Sequence, residues 1–180
     1  MNIAVYCSAK DSIPAEYMTL GDMVGQMIAQ SGHTLIYGGA TGGLMSRTST
    51  ACKNAGGKVI GVIPERIICA GRQASCCDEL HIVPNMSARK QTMRTLADVS
   101  IALPGSYGTM DELFDWIASA TVGEHHKPII ILNYKGFYDG LKHEIKQMKE
   151  LAFLPQEETF KPVFADTMEE LKVFINTQNV

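Results

Sequence analysis

The feature that most constrains this chain is an alternation. Short runs that are apolar throughout are separated by longer stretches that are apolar only at helical spacing. Ile3 to Tyr6, Thr34 to Tyr37, Lys58 to Ile63, Leu80 to Val83, Val99 to Leu103, Pro128 to Leu132 and Val163 to Ala165 read as strands. Pro14 to Ser31, Leu44 to Ala55, Ser87 to Ala97, Thr109 to Val122, Phe137 to Leu151 and Met168 to Thr177 read as helices. Gly56-Gly57 supplies a helix stop, and Glu65 to Glu79 reads as loop with at most a short helix. Strands lacking a polar face must be covered on both sides, and the intervening helices provide that cover. The pattern therefore predicts an α/β fold, a parallel sheet with helices on both faces. At 180 residues, with no repeat, linker or low-complexity tract, one domain over 1–180 is expected.

In such sheets ligands bind beyond the carboxyl ends of the strands, where the strand order reverses. Function is therefore sought in the loops that follow strands. The strongest candidate is Leu103-Pro104-Gly105-Ser106-Tyr107-Gly108-Thr109, where a strand runs through a glycine turn into a helix opening at or just before Thr109. Such a turn aims several amides and the positive helix end at one spot, which suits a phosphate. Gly105 and Gly108 are expected to permit positive φ, and Thr109 to cap the helix and offer its hydroxyl. The same pattern also serves as a tight turn with no ligand. Neither Gly-Lys-Ser/Thr nor the Gly-x-Gly-x-x-Gly fingerprint is present, so a single phosphate fits better than a triphosphate or NAD.

A second glycine loop, Tyr37-Gly38-Gly39-Ala40-Thr41-Gly42-Gly43-Leu44-Met45, follows another strand. Gly39, Gly42 and Gly43 are expected to grip the nucleotide from the opposite side, with packing of a tight turn as the plainer reading. The third segment is Met86-Ser87-Ala88-Arg89-Lys90, where Asn85 or Ser87 is expected to cap the helix. Cations near a helix start run against its dipole, so Arg89 and Lys90 are expected to serve an anion or a carboxylate, or else form a solvated face. Glu112, three residues after Thr109, shares its helix face. It is either a helix-start carboxylate or an acid placed beside a bound ribose, where it would offset the positive charge of an oxocarbenium-like state. Ser8 after the first strand is a ligand contact or a turn cap.

A net charge of −3 with scattered basic residues argues against a polynucleotide partner, and no apolar run approaches a membrane span. The start shows no signal-peptide pattern, so a cytoplasmic protein is expected. Five cysteines without a Cys-x-x-Cys pair read as buried structural thiols, with adjacent Cys76 and Cys77 poorly placed to bridge each other. No metal site is expected. His125-His126 lacks partners and reads as exposed loop.

Taken together, Pro104 to Glu112 resembles the Pro-Gly-Gly-x-Gly-Thr-x-x-Glu signature of the Lonely Guy family, cytokinin riboside 5′-monophosphate phosphoribohydrolases long misnamed lysine decarboxylases. Met86-x-x-Arg89-Lys90-x-x-Met93, Tyr37 to Met45, Gly56-Gly57 to Pro64-Glu65 and Lys127-Pro128 match in the same order, over roughly residues 3 to 155. The resemblance implies a Rossmann-like doubly wound fold, a homodimer, no cofactor, and hydrolysis of AMP-type nucleotides to base and ribose 5-phosphate. It implies Arg89 and Glu112 as the catalytic pair, with Lys90 and Ser106–Thr109 on the phosphate; Gly39, Gly42, Gly43, Gly105, Met86 and Ser8 complete the expected contacts. Having both members of the pair separates the chain from related non-catalytic carriers. Departures fall at Ser106, at Ala40, and at Ala118-Ser119, which many plant-type members replace with Thr-Trp. A true lysine decarboxylase would need pyridoxal phosphate on a lysine, and no lysine here has an apolar strand-end setting.

Overall fold

The protein is described here from a computed structural model covering residues 1–155, 157 and 159–178. β-Branched and aromatic side chains favour extended backbone that packs on both faces. They build β1 (Asn2–Tyr6), β2 (Thr34–Tyr37), β3 (Lys58–Pro64), β4 (Glu79–Val83), β5 (Val99–Ala102), β6 (Ile129–Leu132) and β7 (Val163–Ala165). The connecting helices are α1 (Ala15–Gln30), α2 (Gly43–Asn54), α3 (Glu65–Cys69), α4 (Met86–Leu96), α5 (Tyr107–Thr121), α6 (Asp139–Glu150) and α7 (Met168–Thr177). All seven strands pair in parallel in the order β4-β3-β2-β1-β5-β6-β7. The expected α/β class is therefore the observed one, a Rossmann-like doubly wound sheet.

Side chains alternate across each strand, so the sheet feeds two cores. Ile3, Val5 and Leu35 pack with Leu20 and Val24 of α1, Leu44 of α2 and Leu171 of α7. Ala4, Tyr6 and Ile36 face the other way, onto Met93 of α4 and Leu113 and Trp116 of α5. On the first face α1 and α2 nearly touch: a Cβ added to Gly25 would stand 2.2 Å from the Thr48 carbonyl oxygen.

The chain lays β2, β3 and β4 outward on one side of β1, then crosses to place β5, β6 and β7 on the other. The loops leaving β1 and β5 diverge at this reversal and open a crevice above it.

Two sequence readings change. His125 is not an exposed loop residue: it is half-buried, its ring lies 5.0 Å from Trp116, and Nε2 is 3.2 Å from Ser119 Oγ. Of the cysteines only Cys7 and Cys52 are buried; Cys69 is exposed, while half-buried Cys76 and Cys77 flank the Tyr37 hydroxyl at 3.7 and 3.4 Å.

Candidate active site at the strand reversal

Leu103, at the end of β5, donates its amide to the Tyr6 carbonyl, and the Ser8 amide reaches the Pro104 carbonyl at 3.3 Å. These bonds join the β1 and β5 loops at their roots. Beyond them the backbone of Ser106 is extended (φ −100°, ψ −156°), and α5 starts at Tyr107, two residues earlier than the sequence pattern placed it. Thr109 is thus the third helical residue and not the cap. Ser106 holds the cap position without making a side-chain cap bond. The first paired amide of the turn is Met110 N, on the Ser106 carbonyl, so the amides of Tyr107, Gly108 and Thr109 project from the helix end with no partner among the described residues.

The glycines here work differently from the expectation. Neither Gly105 nor Gly108 has positive φ. Gly105 is required because a Cβ would lie 2.0 Å from Thr109 Oγ1, whereas a Cβ at Gly108 would meet nothing. Ser106 in place of glycine therefore brings no backbone strain.

Arg89 comes from α4, which Asn85 caps by accepting the Ala88 amide at 2.9 Å. Its guanidinium lies over the end of β2, where a Cβ on Gly38 would stand 1.8 Å from Nη2. Nη1 approaches Glu112 Oε1 at 3.0 Å and the Met86 sulfur at 3.7 Å. Both partners of the pair are buried, with side-chain exposures of 8% and 2%. The approach attracts charge but misses hydrogen-bond alignment, so Glu112 Oε1 and Arg89 Nε remain without hydrogen bonds. Two orphaned buried polar atoms on one ion pair are rare in a finished core and mark a place built for something else. Burial pushes the Glu112 carboxyl up from 4.5 to about 7, against the opposing pull of Arg89; Asp111 and Asp115 add to the rise.

These groups line a pocket of about 140 Å³. It unites Arg89, Glu112, Ser106, Gly108, Thr109 and Ser8 from the sequence reading. Ser8 also caps its own turn, accepting the Lys10 amide at 3.2 Å.

Other expected contacts lie elsewhere. Lys90 Nζ is held by Asp111 at 2.7 Å and Asp115 at 3.4 Å, outside the pocket lining. Gly105 sits behind Thr109. Met86 packs on the back of Arg89, and the Tyr107 side chain projects outward, 93% exposed. Gly39, Gly42 and Gly43 do have positive φ, but none of them lines the pocket. Gly42 N donates to Ser46 Oγ at 2.6 Å and Gly43 N to Asp11 Oδ1 at 2.8 Å, so these two amides are spent within the protein. Ala118 and Ser119 also lie outside the lining; Ser119 Oγ bonds the Asp115 carbonyl at 2.7 Å. Ala40 takes no positive φ and forms a bridge to Gln73, so its Cβ is accommodated.

Sequence reasoning missed Gly38, whose bare Cα admits Arg89, although Tyr-Gly-Gly at a strand end carried the signal. It also missed Cys7, Ala9, Lys10, Met45 and Arg72, which complete the lining. Arg72 sits in the irregular segment, where periodicity is silent. Among the described residues no cluster of three or more His, Cys, Asp or Glu is arranged to hold a metal, and no helix is long and apolar enough to cross a membrane.

A family model described as "Possible lysine decarboxylase" matches residues 45–173. A probable cytokinin riboside 5′-monophosphate phosphoribohydrolase of Oryza sativa subsp. japonica is 37% identical over 77% of this chain; the match spans 56% of that relative's length. A cytokinin riboside 5′-monophosphate phosphoribohydrolase of Mycobacterium marinum is 33% identical over 93% of this chain and 89% of its own. Among solved structures, the molybdenum cofactor carrier protein of Chlamydomonas reinhardtii superposes with a TM-score of 0.74 at 20% identity, covering 98% of this chain and 96% of that one, a likeness of fold. On these matches the chain belongs to the Lonely Guy family, to which the lysine decarboxylase description is attached.

Proposed function

We propose that the chain is a phosphoribohydrolase that cleaves the N-glycosidic bond of an AMP-type nucleoside 5′-monophosphate. The observation that carries this reading is the adjacency of three unpartnered amides at the start of α5 and a buried carboxylate whose Oε1 lacks a hydrogen bond. The amides and the Thr109 hydroxyl take the 5′-phosphate, and that remote anchor fixes the sugar over Glu112. Ionised Glu112 accepts a proton from water as its oxygen bonds to C1′. The C1′–N bond breaks, its electron pair leaves with the base, and the base gains a proton. The carboxylate offsets positive charge on the sugar throughout. Arg89 holds Glu112 in place and keeps its ionised form accessible despite burial.

A second copy of the chain and the small nucleotide are the proposed partners, and the cytoplasm the proposed compartment. Exposed apolar side chains on and beside the outer face of α5, Phe114 at 41% and Phe153 at 79%, favour a self-association surface. The resemblance to carriers raises a binding role without turnover; the orphaned Glu112 Oε1 favours catalysis.

Incubation of the purified protein with AMP, read by chromatography for adenine and ribose 5-phosphate, is the test. Release of adenine by the wild type, lost in Glu112→Gln and Arg89→Ala with circular dichroism unchanged, is the expected result. Full activity in either variant contradicts the mechanism.

A further inference from the structure

The five thiols of the chain sit in different settings. Cys7 and Cys52 are buried in the core, and burial pushes both thiols up, Cys52 to about 11. Cys69 is exposed. Cys76 and Cys77 are adjacent and half-buried, on irregular backbone between Gln73 and β4.

The segment that carries this pair is pinned to the sheet. The Arg72 carbonyl accepts the Thr41 amide at 2.8 Å, the Ala74 amide reaches the Gly39 carbonyl at 3.0 Å, and the Asp78 amide the Val59 carbonyl at 2.9 Å. Both sulfurs are thereby held on the hydroxyl of buried Tyr37, Cys77 at 3.4 Å and Cys76 at 3.7 Å. Gly61 of β3 leaves Cys77 its space, since a Cβ there would stand 2.7 Å from Sγ. The Asp78 carboxylate, next along the chain, is occupied by Lys53 and by the Val59 amide at 2.9 Å.

A thiol and a phenol each carry one proton and can also accept one. With Cys76 ionised, the two remaining protons line up in one direction, from the Cys77 sulfur to the Tyr37 oxygen and from that oxygen to the Cys76 sulfur. Every donor then has an acceptor, and the charge receives the stronger, charge-assisted bond. Hydrogen bonding from Cys77 foremost, and from Tyr37, pulls the Cys76 thiol well below its ordinary value against its partial burial, while Cys77 holds its own proton more tightly.

We propose that Cys76 is a modification site, a thiolate nucleophile toward hydroperoxides that Tyr37 and Cys77 hold ionised. Its sulfur attacks the hydrogen-bearing oxygen of the peroxide, an S–O bond forms and the O–O bond breaks. The departing oxygen takes the electron pair as hydroxide or alkoxide and gains a proton from water. Sulfur loses two electrons, the peroxide gains them, and Cys76 becomes a sulfenic acid. The product stops there. Adjacent Cα atoms stand about 3.8 Å apart, short of the span of about 4.4 Å or more that a disulfide takes, so Cys77 is poorly placed to condense with it. Neither cysteine lines the pocket at Glu112, so this chemistry stands whether or not the chain cleaves nucleotides.

The test treats the full-length protein with hydrogen peroxide at neutral pH in the presence of dimedone, which caps sulfenic acids, and reads each cysteine by peptide mass spectrometry. Expected is capping of Cys76 about tenfold or more above that of Cys69, Cys7 and Cys52. Tyr37→Phe keeps the ring packed and removes only the hydroxyl; it should lower Cys76 capping by about tenfold and leave Cys69 unaltered. Cys77→Ser, which keeps a donor, should retain most of the Cys76 capping. Equal capping of Cys76 and Cys69 overturns the site. So does undiminished Cys76 capping in Tyr37→Phe that circular dichroism shows to be folded. A Cys76–Cys77 disulfide in place of the capped acid overturns the sulfenic acid as the end product.

Discussion

Two glycine-rich turns leave the strands on either side of β1, and they do opposite things with their amides. The turn after β2 puts Gly39, Gly42 and Gly43 at positive φ and closes on itself, feeding its N–H groups to Ser46, Asp11 and the Arg72 carbonyl. The turn after β5 has no positive φ at all and leaves three amides unpaired beside a buried acid. Glycine richness alone therefore does not mark an anion site. The mark is an amide with nothing to bond to. In the first turn glycine is needed for backbone shape. In the second, Gly105 is needed for proximity, because Thr109 occupies the space of its missing Cβ.

This division sets the order of expected effects. Glu112→Gln strikes the chemistry and should lower base release by about a hundredfold to a thousandfold, a charge-stabilisation loss on the order of 3–4 kcal/mol, measured as kcat at saturating nucleotide. Gly105→Ala drives a methyl into Thr109 Oγ1 and should weaken nucleotide binding by roughly tenfold to a hundredfold, read as KM or calorimetric affinity. Gly42→Ala acts on the other turn. With φ at +103° and the Ala9 carbonyl 2.5 Å from the new Cβ, it should cost about 1–3 kcal/mol of stability in a thermal melt while leaving KM nearly unchanged. Ser46→Ala, which strips the Gly42 amide of its acceptor, should follow with about 1 kcal/mol. A large KM effect from Gly42→Ala without loss of stability would erase the distinction between the two turns.

Glu112 adds a pH signature with two signs. Its folded-state carboxyl is raised from 4.5 to about 7, so the folded chain binds this proton more tightly than the unfolded chain. The resulting stability is complete below about 4.5 and is lost as pH rises through 7. The rate should move the other way, climbing through pH 7 as the base ionises. Glu112→Gln should flatten the decline in stability across that window, and melts at pH 5 and 8 measure it.

The sheet was legible because wholly apolar strands such as Ile129–Leu132 tolerate few other placements. Arg89, Glu112 and the turn at 105–109 were legible as residue types at fixed offsets. The start of α5 was not, because Thr109 looks like a cap in sequence while the extended backbone of Ser106 sets the helix going earlier. For Lys90 the sequence offered an anion or a carboxylate, and the choice is not local: which acids stand opposite is decided by the packing of α4 on α5, which brings Asp111 and Asp115 to it. Arg72 and Lys10 come from loops whose convergence is a tertiary matter.

Amide chemical shifts of the ¹⁵N-labelled protein, followed while ribose 5-phosphate is titrated in, address the two turns at once. The amides of Tyr107, Gly108 and Thr109 should shift strongly and saturably, while those of Gly42 and Gly43 stay close to their starting positions. Movement centred on Gly42 and Gly43, with Tyr107 to Thr109 unmoved, would place the anion on the wrong turn and remove Glu112 from its chemistry.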